Sequence, residues 1–116
     1  MLDLTFNYCL SFPGVTAEEK WNEEMCFSVG EKLFCSMRVD PPYKLSFKCT
    51  PDQFHSLIAR PDIVPMPYLA RYHWVQVKHP SNLDWSELQA FIQQAYDLVV
   101  KMLPPEERDA VLKARV

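Results

Sequence analysis

The chain has 116 residues, 48% of them hydrophobic and 23% charged, a size and balance that predict one folded domain over 1–116 and exclude extensive disorder. Its net charge of −3 excludes the uniformly basic surface of a protein that coats nucleic acid or anionic membrane. The charges are uneven, however: residues 1–37 carry two bases and six acids, 38–82 six bases and three acids, and 83–116 four bases and six acids. The middle third, which also holds all three histidines, is the basic part.

In chain order, Leu2, Phe6, Cys9 and Leu10 are spaced as on a short amphipathic helix that Pro13-Gly14 ends. TAEEKWNEE follows and reads as an acidic linker around Trp21. MCFSV and KLFCSMRV flank Gly30-Glu31, the pattern of a hairpin whose glycine supplies a positive φ. A two-residue turn there sets Val29 opposite Lys32, Phe27 opposite Phe34 and Cys26 opposite Cys35. YKLSFKC, after the Asp40-Pro41-Pro42 corner, is a third strand. Thr50-Pro51-Asp52-Gln53 combines an N-cap threonine, a proline at the first helical position and a glutamine at the third, which predicts a helix over about residues 51–59. Three prolines in RPDIVPMPY exclude regular helix and central strand and predict a stiff extended connection.

ARYHWVQVKH, residues 70–79, reads as the next strand. Asp84-Trp85-Ser86-Glu87 then opens the longest helix, along which Trp85, Leu88, Ile92, Ala95, Tyr96, Val99 and Leu103 share one side. Pro104-Pro105 breaks it. EERDAVLKARV forms a terminal helix with acids early and bases late, as the helix dipole favours.

Catalytic and metal signatures are missing. Cys9, Cys26, Cys35 and Cys49 lie 17, 9 and 14 residues apart, which fits neither a C-x-x-C pair nor a zinc ribbon. The Cys26 and Cys35 pairing makes a disulfide geometrically conceivable, but the expectation is two thiols in a reducing cytosol. MLDLTFNYCLSFPG lacks the basic start and apolar stretch of a secretory signal, and no run of about 18 apolar residues occurs, so a cytosolic protein without membrane contact is expected. With Gly14 and Gly30 as the only glycines, neither a phosphate-cradling loop nor a dinucleotide fingerprint can form. G-x-S-x-G and H-E-x-x-H are likewise missing. A triad assembled in space leaves no such trace, but the expectation is a protein that is not an enzyme and uses no cofactor or metal. Glu18, Glu19, Glu23 and Glu24 could offer oxygen to a hard cation, although such a run is usually a solvated face.

Helix, strands, helix, strand, helix, helix is an α+β order: an antiparallel β-sheet with helices packed on one face. Over nearly the whole chain YCLSFPG, VGEKLF, KLSFKCTPDQF, YHWVQV and AYDLVVKMLP, in this order and spacing, resemble the MmcQ/YjbR family. The resemblance implies a frataxin-like curved sheet backed by helices, in a "double-wing" topology, and with it an expectation of DNA binding. A fold does not fix a function, so the residues must argue it.

Alternation along strands sends Leu45, Phe47 and Cys49 toward the helices and Lys44, Ser46 and Lys48 away. It sends Leu33, Cys35, Met37 and Val39 inward and Phe34, Ser36 and Arg38 outward. If Val75 and Val77 face the helices, Trp74, Gln76 and Lys78 face away; the other arrangement has Trp74 in the core with Val77 at a bulge. The open face then carries Arg38, Lys44, Lys48, Trp74 and Lys78, cations that neutralise phosphate beside a ring on which a base stacks. Arg71 and His73 join them from the region matching the family's HW pair. These seven residues are the candidate DNA site, used weakly through the sheet face and its hairpins.

Two plainer readings stand beside it. Lysines on an open antiparallel face are commonly just solvated, and His73, with no carboxylate or second ligand in view, fits a backbone contact better than a functional role. His55 reads as a surface residue and His79 as the start of a turn. The functional alternative is a protein-interaction module on the same aromatic face, which Phe27 and Phe34 would extend, with no nucleic-acid role.

Overall fold

The computed structural model describes residues 2–20 and 24–114, with side chains for 3–20 and 24–113. Its elements are α1 (Leu2–Leu10), β1 (Val15–Lys20), β2 (Glu24–Val29), β3 (Lys32–Arg38), β4 (Lys44–Lys48), α2 (Pro51–Ile58), β5 (Ile63–Pro65), β6 (Trp74–Val77), α3 (Trp85–Lys101) and α4 (Pro105–Ala114). The six strands form one antiparallel sheet in the order β1-β2-β3-β4-β6-β5. Helices pack on one of its faces. Phe27, Val29, Phe47, Val75 and Val77 from the sheet meet Cys9, Leu57, Leu88, Ile92, Tyr96 and Val99 from the helices in a single buried cluster. Among the described residues no helix is long and apolar enough to cross a membrane.

Local signals place several elements where the sequence predicts them. Thr50 Oγ1 accepts from Gln53 N at 3.1 Å while Gln53 Oε1 accepts from Thr50 N at 3.1 Å, so the reciprocal cap of α2 is made. Gly30 and Glu31 both have positive φ, 56° and 67°, which is the backbone of a tight two-residue hairpin turn. In α3 the expected face is buried. Asp84 makes no side-chain cap there, so that helix start is held by packing.

Four elements depart from expectation. The first half of TAEEKWNEE is the strand β1, paired with β2 from Val15↔Val29 to Lys20↔Glu24; Trp21, Asn22 and Glu23 lie outside the described residues. Exposed Glu18, Glu19 and Lys20 mark it as an edge strand protected by charge. Ile63–Pro65 of the proline-rich connection is β5, also an edge, where a proline costs no ladder bond. The strand expected over residues 70–79 is shorter: Ala70–Tyr72 is a 3-10 turn, His73 follows with φ 64°, and β6 begins at Trp74.

The fourth departure is a bulge. Val29↔Lys32 and Ser28↔Leu33 pair as the turn requires, but the next partners are Phe27↔Cys35 and Cys26↔Ser36, which leaves Phe34 as the extra residue. Phe34 and Cys35 therefore both turn to the helices. The Phe34 ring meets Tyr96 edge-on at 5.5 Å, and Cys35 Sγ lies 4.0 Å from Cys9 Sγ. Phe34 is thus in the core and not on the outer face, Phe27 faces Phe6 of α1 at 5.5 Å, and Cys26 is not opposite Cys35. All four cysteines are free thiols.

The bulge makes a direct prediction. Phe34→Ala should cost roughly 3–5 kcal/mol, the usual range for a buried phenylalanine, and Leu33→Ala on the opposite face clearly less, as read by urea denaturation. Equal losses, or a larger one at Leu33, would mean that ordinary alternation holds through this strand.

Candidate functional site

On the face turned away from the helices the register aligns Glu18, Cys26, Ser36, Ser46, Gln76 and Val64 in one row across all six strands. A polar row on an open sheet should be wet. Instead Cys26, Ser36 and Ser46 are each only 1% exposed and Trp74, on the same face, 5%. The cover is the β5 to β6 connection. Met66 N donates to Trp74 O at 3.0 Å, Leu69 N to Met66 O at 3.2 Å, and His73 N to Ala70 O at 2.9 Å, so the segment folds in tight turns back over the sheet. Tyr68 and His73 sit at φ 68° and 64°, a left-handed backbone that side-chain-bearing residues seldom adopt. The small side chains of Ser36 and Ser46 leave room for it.

This path sorts the seven predicted residues. Trp74 faces away from the helices as expected, but it is buried under the connection and offers no ring to a base. Lys48 Nζ donates to Tyr72 O at 2.7 Å, and burial lowers its pKa. Arg71 is exposed, its guanidinium 4.9 Å from the centre of the Tyr72 ring. His73 meets Phe54 of α2 edge-on at 5.7 Å, while its carbonyl accepts from Cys49 N at 2.9 Å and Cys49 Sγ at 3.3 Å; it ties β6 to the start of α2. Only Arg38, Lys44 and Lys78 come together. Arg38 and Lys44 are register partners, and Lys78 follows Val77, the partner of Leu45. Arg38 and Lys44 stand on neighbouring strands and Lys78 just past the end of β6, at the end of the sheet opposite Lys48 and Arg71.

Between the connection and this end of the sheet lies a recess of about 480 Å³, bounded by Glu24, Gln76, Met66, Pro67, Tyr68 and Leu69. Glu24 is on β2 and Gln76 on β6, so Ser36 and Ser46 on the two strands between them lie beneath it. Gln76 Nε2 donates to Ser46 Oγ at 3.3 Å. Ser36 Oγ is buried with no hydrogen-bond partner at ordinary geometry, although it lies near enough to Glu24 to favour the carboxylate. Tyr68 stands at the lip, 97% exposed. None of Glu24, Ser36, Ser46, Gln76 and Tyr68 is flagged by a sequence motif, because what joins them is the route of the connection.

Burial raises the Glu24 pKa against the pull of Arg38 and Lys44. The Cys26 thiol is pushed up to about 11, by burial first and the Glu24 charge second, and Cys49 also to about 11 by burial. Neither is a thiolate nucleophile at neutral pH. Among the described residues no group of three His, Cys, Asp or Glu side chains is placed to hold a metal ion; Glu23 of the acidic run lies outside them.

The Glu24 shift fixes a pH dependence. A carboxyl whose folded pKa lies above its unfolded one favours folding while protonated, and that advantage disappears as pH rises through the folded pKa. Glu24→Gln, which mimics the neutral form, should therefore match the parent near pH 4 and melt at a higher temperature near pH 7. A parent that is the more stable at pH 7 would show that attraction to Arg38 and Lys44 outweighs desolvation.

The YjbR family model matches residues 10–98. No curated protein matches the chain. Among solved structures it is similar to Deinococcus radiodurans protein DR2400, which carries the domain DUF419, with a TM-score of 0.85 and 24% identity over 96% of this chain and 87% of that one. It is also similar to a protein from Pseudomonas syringae, with a TM-score of 0.68 and 16% identity over 83% of this chain and 96% of that one. At such identities these likenesses speak for the fold alone. The family match runs from the last residue of α1 into α3, over the stretch that builds the sheet, its bulge and the covering connection, and the chain belongs to the YjbR family.

Proposed function

We propose that this YjbR domain is a non-enzymatic, cytosolic module that binds nucleic acid weakly, through one end of a frataxin-like, double-wing sheet. The observation that supports this best is the row of Arg38 on β3, Lys44 on β4 and Lys78 just past the end of β6. Neighbouring strands are about 4.8 Å apart, so the row is about 10 Å long. Its cations can each displace a counterion from a phosphate backbone. Four buried free thiols accord with a reducing compartment.

The same geometry argues for low affinity. Lys48 is committed to a backbone carbonyl, Trp74 is buried, and Arg38, in register with Glu24, donates from Nε to the Asp40 carbonyl at 3.3 Å. At most three phosphate contacts are left, or four if exposed Arg71 reaches the same strand. A protein-interaction module with no nucleic-acid role is the second reading, and the observation that favours it is the exposure of Tyr68 and Tyr72 on the connection.

Salt separates the two. Three contacts predict a slope of log K against log salt of about −2 to −3, whereas an apolar contact hardly responds. In fluorescence anisotropy with labelled oligonucleotides, binding should weaken with that slope and be lost in the double variant Lys44→Glu, Lys78→Glu. Binding that the variant keeps, or no binding even at low salt, contradicts the proposal.

A further inference from the structure

The geometry points to a second element of recognition: we infer that the recess under residues 66–69 receives one unstacked nucleobase, so that the protein selects single strands over duplex. The inference rests on the nucleic-acid reading above and goes beyond it, because a row of cations alone does not distinguish the two forms.

Three observations converge on one spot. The recess, at about 480 Å³, is within the usual size range of small-ligand sites, and like them it combines apolar walls with a few polar groups. Met66, Pro67 and Leu69 supply the walls. Glu24 and Gln76 border it, and the buried Ser36 hydroxyl lies beside the Glu24 carboxyl, so the polar groups of the recess are gathered on one side. Gln76 spends its amide N–H on Ser46, which leaves its carbonyl oxygen as an acceptor. Base edges carry both donors and acceptors and can engage such a set.

Tyr68 is the third observation. Its ring projects from a left-handed backbone position at the lip and is 97% exposed. A ring held in water beside a cavity is a stacking platform, and stacking tolerates any base. The charges also fit. A carboxylate inside the recess repels phosphate but accepts hydrogen bonds from a base amine. Arg38 and Lys44 act on Glu24 from the adjoining register positions, where the phosphates flanking an inserted base would lie. A duplex keeps its bases stacked, so it reaches the cations and not the recess.

The test compares single-stranded and duplex oligonucleotides of equal length, at low salt, with the unaltered protein and Tyr68→Ala. Tyr68 touches solvent on almost every side, so its removal leaves the fold intact. The single strand should bind about tenfold or more tightly than the duplex, and Tyr68→Ala should lose about tenfold for the single strand, with duplex binding unchanged. Equal affinities, or a Tyr68→Ala protein that keeps its single-strand preference, would overturn the base recess while leaving the cation row standing. Absence of binding to either form would overturn both.

Discussion

The hydrogen bonds that fold residues 66–73 back across the sheet are the constraint on which the character of this face depends. Met66 and Leu69 are anchored to backbone groups around Trp74, and the Lys48 ammonium holds the Tyr72 carbonyl from the neighbouring strand. With the connection extended, Trp74, Cys26, Ser36 and Ser46 would form a flat face of mixed polarity. Folded back, it buries the tryptophan and walls a recess over the face, bordered by Glu24, the register partner of Arg38. Ser36 and Ser46, both buried, put small polar side chains on this face. The folded-back connection leaves one electrostatic cost at the recess, the Glu24 carboxyl, which burial raises in pKa despite the nearby Ser36 hydroxyl and which a ligand there could offset.

The bulge at Phe34 serves the opposite face. By turning two consecutive residues inward it places a large ring against Phe12 and Tyr96, whose hydroxyl donates to the Pro13 carbonyl at 2.6 Å and so fastens the end of α1 to α3. It also turns Leu33 outward, where it lines a cavity together with Leu69 and Trp74. One extra residue in β3 thus adjusts the packing on both sides of the sheet while Ser36 and Arg38 keep their outward phase.

Much of this was legible in the sequence where the signal is local. The cap of α2 is written in Thr50 and Gln53, the hairpin turn in Gly30-Glu31, and the long helix in the spacing from Leu88 to Val99. The outward phase of Arg38, Lys44 and Lys78 follows from alternation alone. The misses share a physical cause. Val15–Lys20 has only two apolar residues and becomes a strand because β2 offers it an edge. KLFCSMR is apolar at both parities, so no alternation rule can locate a bulge within it. Tyr68 and His73 adopt positive φ without glycine, Tyr68 within the turn that Leu69 N closes on Met66 O and His73 under bonds from Cys49, distant in sequence. Hence the cations could be read beforehand, but Trp74 could not be known to be covered, nor Glu24, Ser36, Gln76 and Tyr68 to share a cavity.

The central claim is that the face away from the helices, at the Arg38 end and under the connection, is the binding surface. Amide chemical-shift mapping of the ¹⁵N-labelled protein, titrated with a single-stranded oligonucleotide at low salt, tests it most directly. The account predicts changes concentrated at Arg38, Lys44, Lys78, Gln76 and residues 66–69, with α1 to α4 unaffected. Changes confined to the helical side, or none at saturating oligonucleotide, would contradict it.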